Sequence, residues 1–156
     1  MYKVGFTGTQ KGMTDSQKLI FDAVIIELGS IGFAEFHHGD CVGADKDAHD
    51  SVLALSKHLT SPPRTIIHPP KKKTKRAFCS SDESRKPLSY LARNQEIVNS
   101  VDIIVATPAE KKEIVRSGTW ATIRRARKQD KPVLIINPDG VTEGDSIESF
   151  IEKQRS

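Results

Sequence analysis

The chain has 156 residues, a formal net charge of +4 and a sequence pI near 9.1. This length is typical of one domain with a substantial buried core, and the 37% hydrophobic and 28% charged residues are ordinary for a soluble globular protein. No apolar run approaches the roughly 20 residues that span a bilayer, and the N-terminus does not resemble a signal peptide. Cys41 and Cys79 are too few for a disulfide framework and lack partners at metal-ligand spacing, so we expect a cytoplasmic protein without a metal.

Short apolar runs alternate with segments of helical spacing along the chain. Thr14 and Gln17 have capping-box spacing and predict a helix start. In chain order the predicted elements are a strand at 4–7, a helix from Thr14 to Gly29 or Gly32, a strand at 33–37, a helix from Ala44 or Asp45, a strand at 64–68, a helix at 88–100 with Leu91, Ile97 and Val98 inward, a strand at 102–106, a helix at 120–129, a strand at 133–137 and a helix at 146–154.

Residues 71–86 show no periodicity, only charge, serine and proline. They predict an irregular basic loop at about 70–87, whose cations are Lys71, Lys72, Lys73, Lys75 and Arg76. Such a run is either a solvated loop, or a segment that attracts polyanions or closes over a phosphorylated ligand.

The alternation of strands and helices predicts a single α/β domain over residues 1–156, with a five-stranded parallel sheet and helices on both faces. The expected order is 3-2-1-4-5, the doubly wound, Rossmann-like arrangement. In that order the first and fourth strands are neighbours at the switch point, where open sheets bind ligands. An order of 2-1-3-4-5 would separate them.

Three glycine-containing loops follow predicted strands and precede predicted helices, at residues 5–12, 39–45 and 117–119. Loop amides and helix N-termini bind anions, so these loops predict a phosphate site. The candidate ligand-binding residues are Gly8, Thr9, Gln10, Gly39, Gly43, Asp45, Ser117, Gly118 and Thr119. The alternatives are an ordinary N-cap at residues 117–119, a tight turn at Gly8, and an acid at Asp45 that only complements the helix dipole.

The order and spacing of these motifs resemble the SLOG superfamily, which joins the DprA/Smf proteins to the "lonely guy" phosphoribohydrolases. Residues 39–45 resemble its G-x-x-x-G-A-D turn, and Ser117-Gly118-Thr119 resembles its G-x-G-T turn. Arg93, nine residues before Asp102, falls where the phosphoribohydrolases have an active-site arginine. The resemblance covers residues 4 to about 140 and also implies pairing into a homodimer.

The chain departs from the phosphoribohydrolases at Thr122, the position of their catalytic glutamate. Threonine cannot act as the carboxylate that activates water or steadies a ribosyl cation. If the chain is an enzyme, Arg93 is the expected catalytic residue and the carboxylate is unidentified.

Three functions follow from these features. The first is a nucleotide-binding protein that senses, sequesters or carries a nucleotide or ribosyl-phosphate derivative, with no separate cofactor. The second is a nucleoside 5′-monophosphate N-glycosidic hydrolase. The third, implied by the DprA resemblance, is single-stranded DNA binding through the basic loop and Arg124, Arg125, Arg127 and Lys128.

Overall fold

The computed structural model describes residues 1–155 and contains one seven-stranded sheet with helices on both faces. In chain order the elements are β1 (Tyr2–Gly8), α1 (Asp15–Ile31), β2 (Phe33–His38), α2 (Ala44–Ser56), β3 (Arg64–Ile67), β4 (Glu83–Ser84), α3 (Tyr90–Ser100), β5 (Ile103–Thr107), α4 (Gly118–Lys128), β6 (Val133–Ile136), β7 (Thr142–Gly144) and α5 (Ile147–Arg155). The strand order is β4-β3-β2-β1-β5-β6-β7.

The five predicted strands are β1, β2, β3, β5 and β6, and they lie side by side in the expected order. The prediction of a five-stranded, wholly parallel sheet is wrong: there are seven strands, and β7 runs antiparallel to β6. The two additional strands lie at the edges of the sheet and have only two and three residues. Strands this short and polar have no apolar period that a sequence pattern could detect.

Helix α1 begins and ends at its capping residues. Thr14 and Gln17 form the predicted capping box at the start of α1. Gly32, at φ 100°, ends that helix, because a residue without Cβ adopts the left-handed conformation without strain. The prediction that Leu91 points inward is wrong, since its side chain is 63% exposed in the first turn of α3.

Each face of the sheet has its own hydrophobic core. One core joins α1, α2 and α5 to the sheet, and Phe6, Phe21 and Phe36 meet edge to face or tilted at its centre. The other joins α3 and α4 to the opposite face. Burying one such aromatic side chain contributes about 1.5–3 kcal/mol. Together the two cores hold the carboxyl ends of β1 and β5 side by side.

The basic loop is anchored to the loop that follows β2. Asp40 is fully buried and accepts hydrogen bonds from Arg76 Nε at 3.0 Å and from the Cys79 backbone N–H at 2.9 Å. Its own carbonyl accepts from the Ala77 N–H at 2.8 Å, and the Val42 N–H donates to the Lys75 carbonyl at 2.9 Å.

Within residues 1–155 no helix is long and apolar enough to cross a membrane.

Candidate functional site

A cavity of about 370 Å³ lies beyond the carboxyl ends of β1 and β5, at the switch point of the sheet. This volume is in the range of small-molecule sites. Nine of the ten sequence-predicted site residues line it: Gly8, Thr9, Gln10, Gly39, Asp45, Arg93, Ser117, Gly118 and Thr119. The tenth, Gly43, lies outside the lining. The strand order therefore brings together loops that are more than 100 residues apart in sequence.

The first wall is the loop that follows β1. The Thr9 N–H donates to the Thr107 carbonyl at 3.2 Å, and the Thr9 carbonyl accepts from the N–H groups of Gly12 at 3.1 Å and Ala44 at 2.9 Å. A Cβ on Gly8 would collide with Ala44 and Thr107, so the close approach of β1, β5 and α2 requires glycine there. These contacts fix the loop before any ligand arrives.

The opposite wall is the start of α4. Ser117 is the N-cap, and its hydroxyl accepts a hydrogen bond from the Trp120 N–H at 3.2 Å. The first N–H groups of a helix have no intrahelical acceptor, and Ser117 caps only one of them. The N–H groups of Gly118 and Thr119 therefore remain to meet a ligand at the positive end of the helix dipole.

The loop after β2 closes the inner end of the cavity. Gly39 lies against the Arg93 guanidinium, and a Cβ at this position would collide with it. Gly43 instead supports the site from below: at φ 94° it packs on the Gln10 backbone, where a side chain has no room. Asp45 is 5% exposed, lines the cavity, and accepts from the Cys41 backbone N–H at 3.1 Å through Oδ2.

Arg93 lines the cavity, and two of its three guanidinium nitrogens, Nε and Nη1, donate hydrogen bonds within the protein. Its Nη1 donates to the Gly39 carbonyl at 2.6 Å and to the His68 carbonyl at 3.4 Å, and its Nε donates to Asn94 Oδ1 at 2.8 Å. It is 6% exposed. A guanidinium held in this way supplies positive charge and fixes the loop after β2, with little freedom left to grip a phosphate bidentately.

Asp45 is the perturbed carboxyl group of the site. Burial raises its pKa to about 6, and Arg93 opposes that rise with its positive charge. Titratable groups with perturbed pKa values in a cleft are typical of functional sites. At pH 7.5 the group is ionised and can only accept hydrogen bonds.

The structure adds residues to the site that the sequence patterns did not single out. Lys11 and Glu110 carry opposite charges and line the cavity with exposed side chains. Tyr90 and Ile114 also line it, and they are 36% and 41% exposed. The position of Lys11 in a glycine loop was the one sequence signal for these residues, because lysines in such loops commonly bind phosphate.

Neither Thr122 nor Asp40 supplies a carboxylate to the cavity. Thr122 is fully buried and donates to the Gly118 carbonyl at 3.0 Å, so its hydroxyl is turned back onto α4. Asp40, bound to Arg76, is also outside the lining. Trp120 is 4% exposed and packs in the core beneath α4 while its edge contributes to the cavity wall.

Two buried histidines, His38 and His49, are hydrogen-bonded to each other beside the site. The alternation of a half-buried strand would expose either His37 or His38, yet both are buried because helices cover both faces of the sheet. His38, His49 and Cys79 bring possible metal-ligand atoms within 4.8 Å of one another. However, the Asp40 N–H donates to His38 Nδ1 at 3.0 Å. His38 Nε2 therefore carries the proton, and it donates to His49 Nδ1 at 2.9 Å.

His49 completes this chain by donating from Nε2 to the Ser80 carbonyl at 2.9 Å. All four ring nitrogens are thus satisfied while both rings are neutral, and an added proton would face another donor. Burial lowers the pKa of His38 well below its ordinary value, and positive charge on His49 lowers it further. Burial also lowers the pKa of His49.

We expect the free energy of unfolding to fall as the pH drops below 6.5. The unfolded chain protonates these histidines at a higher pH than the folded chain, because burial lowers both pKa values in the folded protein. Each pH unit over which His38 stays neutral costs about 1.4 kcal/mol. Urea unfolding at pH 7.5 and pH 5 measures this loss. His49→Gln, which keeps a donor for Ser80 and removes one titrating ring, should reduce it. The matched control, replacement of the exposed His58 by glutamine, should not, and equal losses in all three proteins would contradict the assignment.

Solved structures share this fold. A molybdenum cofactor binding protein from Rippkaea orientalis superposes with a TM-score of 0.65 at 20% identity, over 99% of this chain and 83% of its own. DNA processing protein A from Helicobacter pylori, described with a single-stranded DNA binding mode, gives 0.59 at 23% identity over 99% and 74%. The molybdenum cofactor carrier protein of Chlamydomonas reinhardtii gives 0.58 at 19% identity over 86% and 75%.

No protein-family model and no curated protein matches the chain by sequence. At these identities the structural likeness establishes the fold, and it includes DNA processing protein A, one of the two groups whose motifs the sequence resembles. The chain therefore has the fold that these structures share, and the resemblance predicted from its three glycine loops is matched at the level of the fold.

Proposed function

We propose that this protein binds a nucleotide or a ribosyl-phosphate derivative in the cavity between β1 and β5, and that it senses, sequesters or carries that ligand. The phosphate lies between the loop that follows β1 and the start of α4. The remainder of the ligand extends toward Asp45 and the mouth of the cavity.

One observation carries this proposal: two loops of anion-binding type face each other across one cavity. The loop after β1 is held by backbone hydrogen bonds through Thr9, and Gly118 and Thr119, which form the start of α4, line the same cavity. Lys11 adds a cation at the exposed edge. Donors fixed before binding lose little conformational entropy when the anion arrives.

Similar structures support ligand binding in general terms. The proteins from Rippkaea orientalis and Chlamydomonas reinhardtii are named for binding or carrying the molybdenum cofactor. Thr122, at the position of the phosphoribohydrolase glutamate, supplies no carboxylate and faces its own helix, which fits such a binding role.

The hydrolase is a second candidate, and Asp45 is the observation that favours it. Asp45 is a carboxyl group in the cavity with a pKa near 6, a value suited to proton transfer at neutral pH. In that mechanism Arg93 would position the loop around Asp45 through its bond to the Gly39 carbonyl.

Single-stranded DNA binding is the third candidate. It would use the basic loop and the cations of α4, of which Arg124 pairs with Glu113 and Arg76 with Asp40. None of these residues lines the cavity, and the proposed nucleotide site does not need them. A homodimer also remains a prediction from the family resemblance.

Calorimetric titration with AMP, GMP, CMP and UMP tests the proposed function. We expect at least one to bind with a dissociation constant below about 1 mM, which corresponds to about −4 kcal/mol. Inorganic phosphate should compete with it. Release of free base, detected by chromatography of the same samples, would instead support the hydrolase. Absence of binding by all four nucleotides, by ribose 5-phosphate and by inorganic phosphate would refute the proposal.

A further inference from the structure

Asp45 is a buried carboxyl group of the cavity, and its surroundings restrict which ligand groups it can contact. It lines the cavity while being 5% exposed, so only a ligand that enters the inner end can reach it. One oxygen, Oδ2, already accepts from the Cys41 N–H at 3.1 Å. The carboxylate is therefore held in one orientation by the loop after β2, as a residue that reads a ligand must be.

The charge of Asp45 determines which ligand group fits beside it. Ionised carboxylates accept hydrogen bonds and donate none. A second phosphate at this end would be repelled, and a ligand carbonyl or ring nitrogen without hydrogen would find no donor in the carboxylate. Ligand hydroxyl and N–H groups satisfy it, and hydrogen bonds to charged groups are stronger than those between neutral ones.

The position of Asp45 relative to the phosphate loop determines which part of a nucleotide reaches it. Ala44, its neighbour in sequence, donates to the Thr9 carbonyl at 2.9 Å and packs under Gly8. Asp45 thus follows directly on the residue that contacts the proposed phosphate loop. In a nucleoside 5′-phosphate the sugar is the group next to the phosphate, and its hydroxyls project from the far side of the ring.

Two apolar side chains of the cavity are partly exposed. Tyr90 and Ile114 line the cavity and are 36% and 41% exposed. A planar base can pack against an aromatic ring there. Phosphate at the loops, sugar at Asp45 and base at Tyr90 would place each part of a nucleotide against a residue of the lining.

We propose that Asp45 binds the vicinal sugar hydroxyls of the ligand and makes the site selective for ribose over 2-deoxyribose. This inference rests on the proposed function, because it assumes that phosphate binds at the two loops. It predicts a ribonucleotide or ribose phosphate as the ligand class. A site built to hydrogen-bond a hydroxyl discriminates strongly against the analogue that lacks it.

Ribose 5-phosphate and 2-deoxyribose 5-phosphate test this without knowledge of the base. We expect the wild-type protein to bind ribose 5-phosphate about tenfold more tightly in calorimetry at pH 7.5, a difference of about 1.4 kcal/mol. In Asp45→Asn that ratio should fall toward one, because the amide accepts more weakly and has no charge. Asp50→Asn, a change at an exposed residue of the same helix, should keep the ratio near ten.

The possible outcomes distinguish a failure of the role proposed for Asp45 from a failure of the proposed function. A ratio near one in the wild type, with both sugar phosphates binding, would overturn the role of Asp45 and leave the phosphate site standing. A ratio near ten that persists in Asp45→Asn would show that another group reads the hydroxyl and would also overturn it. Failure of both sugar phosphates, inorganic phosphate and the nucleotides to bind would overturn the proposed function, and this inference with it.

Discussion

Replacing Gly118 by aspartate is expected to weaken nucleotide binding about 100-fold. A Cβ at this position meets nothing within 4 Å, so the side chain has room. Its carboxylate would lie beside the bound phosphate, and two charges about 5 Å apart near a protein surface repel by roughly 3 kcal/mol. Calorimetric titration of the variant with the nucleotide that binds the wild-type protein measures the loss.

Asparagine at the same position is the matched control. It has the shape of aspartate without the charge, so Gly118→Asn should retain most of the affinity. Both variants should be at least as stable as the wild type, because an acid in the first turn complements the helix dipole and glycine is a poor helix former. Equal losses of affinity in the two variants would mean that space, and not charge, governs binding at this helix start.

Replacing Gly43 by alanine is expected to lower the free energy of unfolding by about 3 kcal/mol or more. Gly43 has φ 94° and ψ −128°, a conformation that side-chain-bearing residues rarely adopt. Its Cβ would also collide with the Gln10 backbone, which cannot rotate away. Urea unfolding measures the change as a fall in the midpoint at constant slope.

The same substitution at Gly118 shows what a glycine without these constraints contributes. Gly118→Ala should change the free energy of unfolding by no more than about 1 kcal/mol, in the stabilising direction. Comparing the two variants thus distinguishes a glycine that the backbone conformation requires from a glycine that faces the ligand. A loss at Gly43 no larger than the change at Gly118 would refute the close packing of the first two glycine loops.

The architecture could be predicted from the sequence because its main elements have strong periodic signals. The apolar runs of β1, β2, β3, β5 and β6 lie far enough apart to leave room for the helices between them. Right-handed crossovers then leave few strand orders. The edge strands β4 and β7 have no such signal, since their pairing depends on the strand beside them and not on their own side chains.

The site was predictable to the level of its loops. The order of the strands implied that the loops containing Gly8 and Gly118 would converge, and both line one cavity. The orientation of side chains inside that cavity was not predictable. The bond from Arg93 to the Gly39 carbonyl and the burial of Asp45 both depend on how α3 packs against the loop after β2.

Local rules failed where tertiary burial overrides them. Leu91 lies at a position that helical spacing assigns to the core, yet its side chain is 63% exposed. His37 and His38 are both buried because α-helices cover both faces of the parallel sheet. The burial of the two histidines is decided by elements distant in sequence.

Nuclear magnetic resonance titration with AMP tests most directly whether the two loops form a single site for one anion. The backbone amide resonances of Thr9, Gln10, Gly118 and Thr119 should shift together and give one dissociation constant, because one phosphate would contact both loops. Inorganic phosphate should shift the same amides. Shifts confined to one of the two loops, or no shifts at millimolar AMP, would contradict a shared phosphate site.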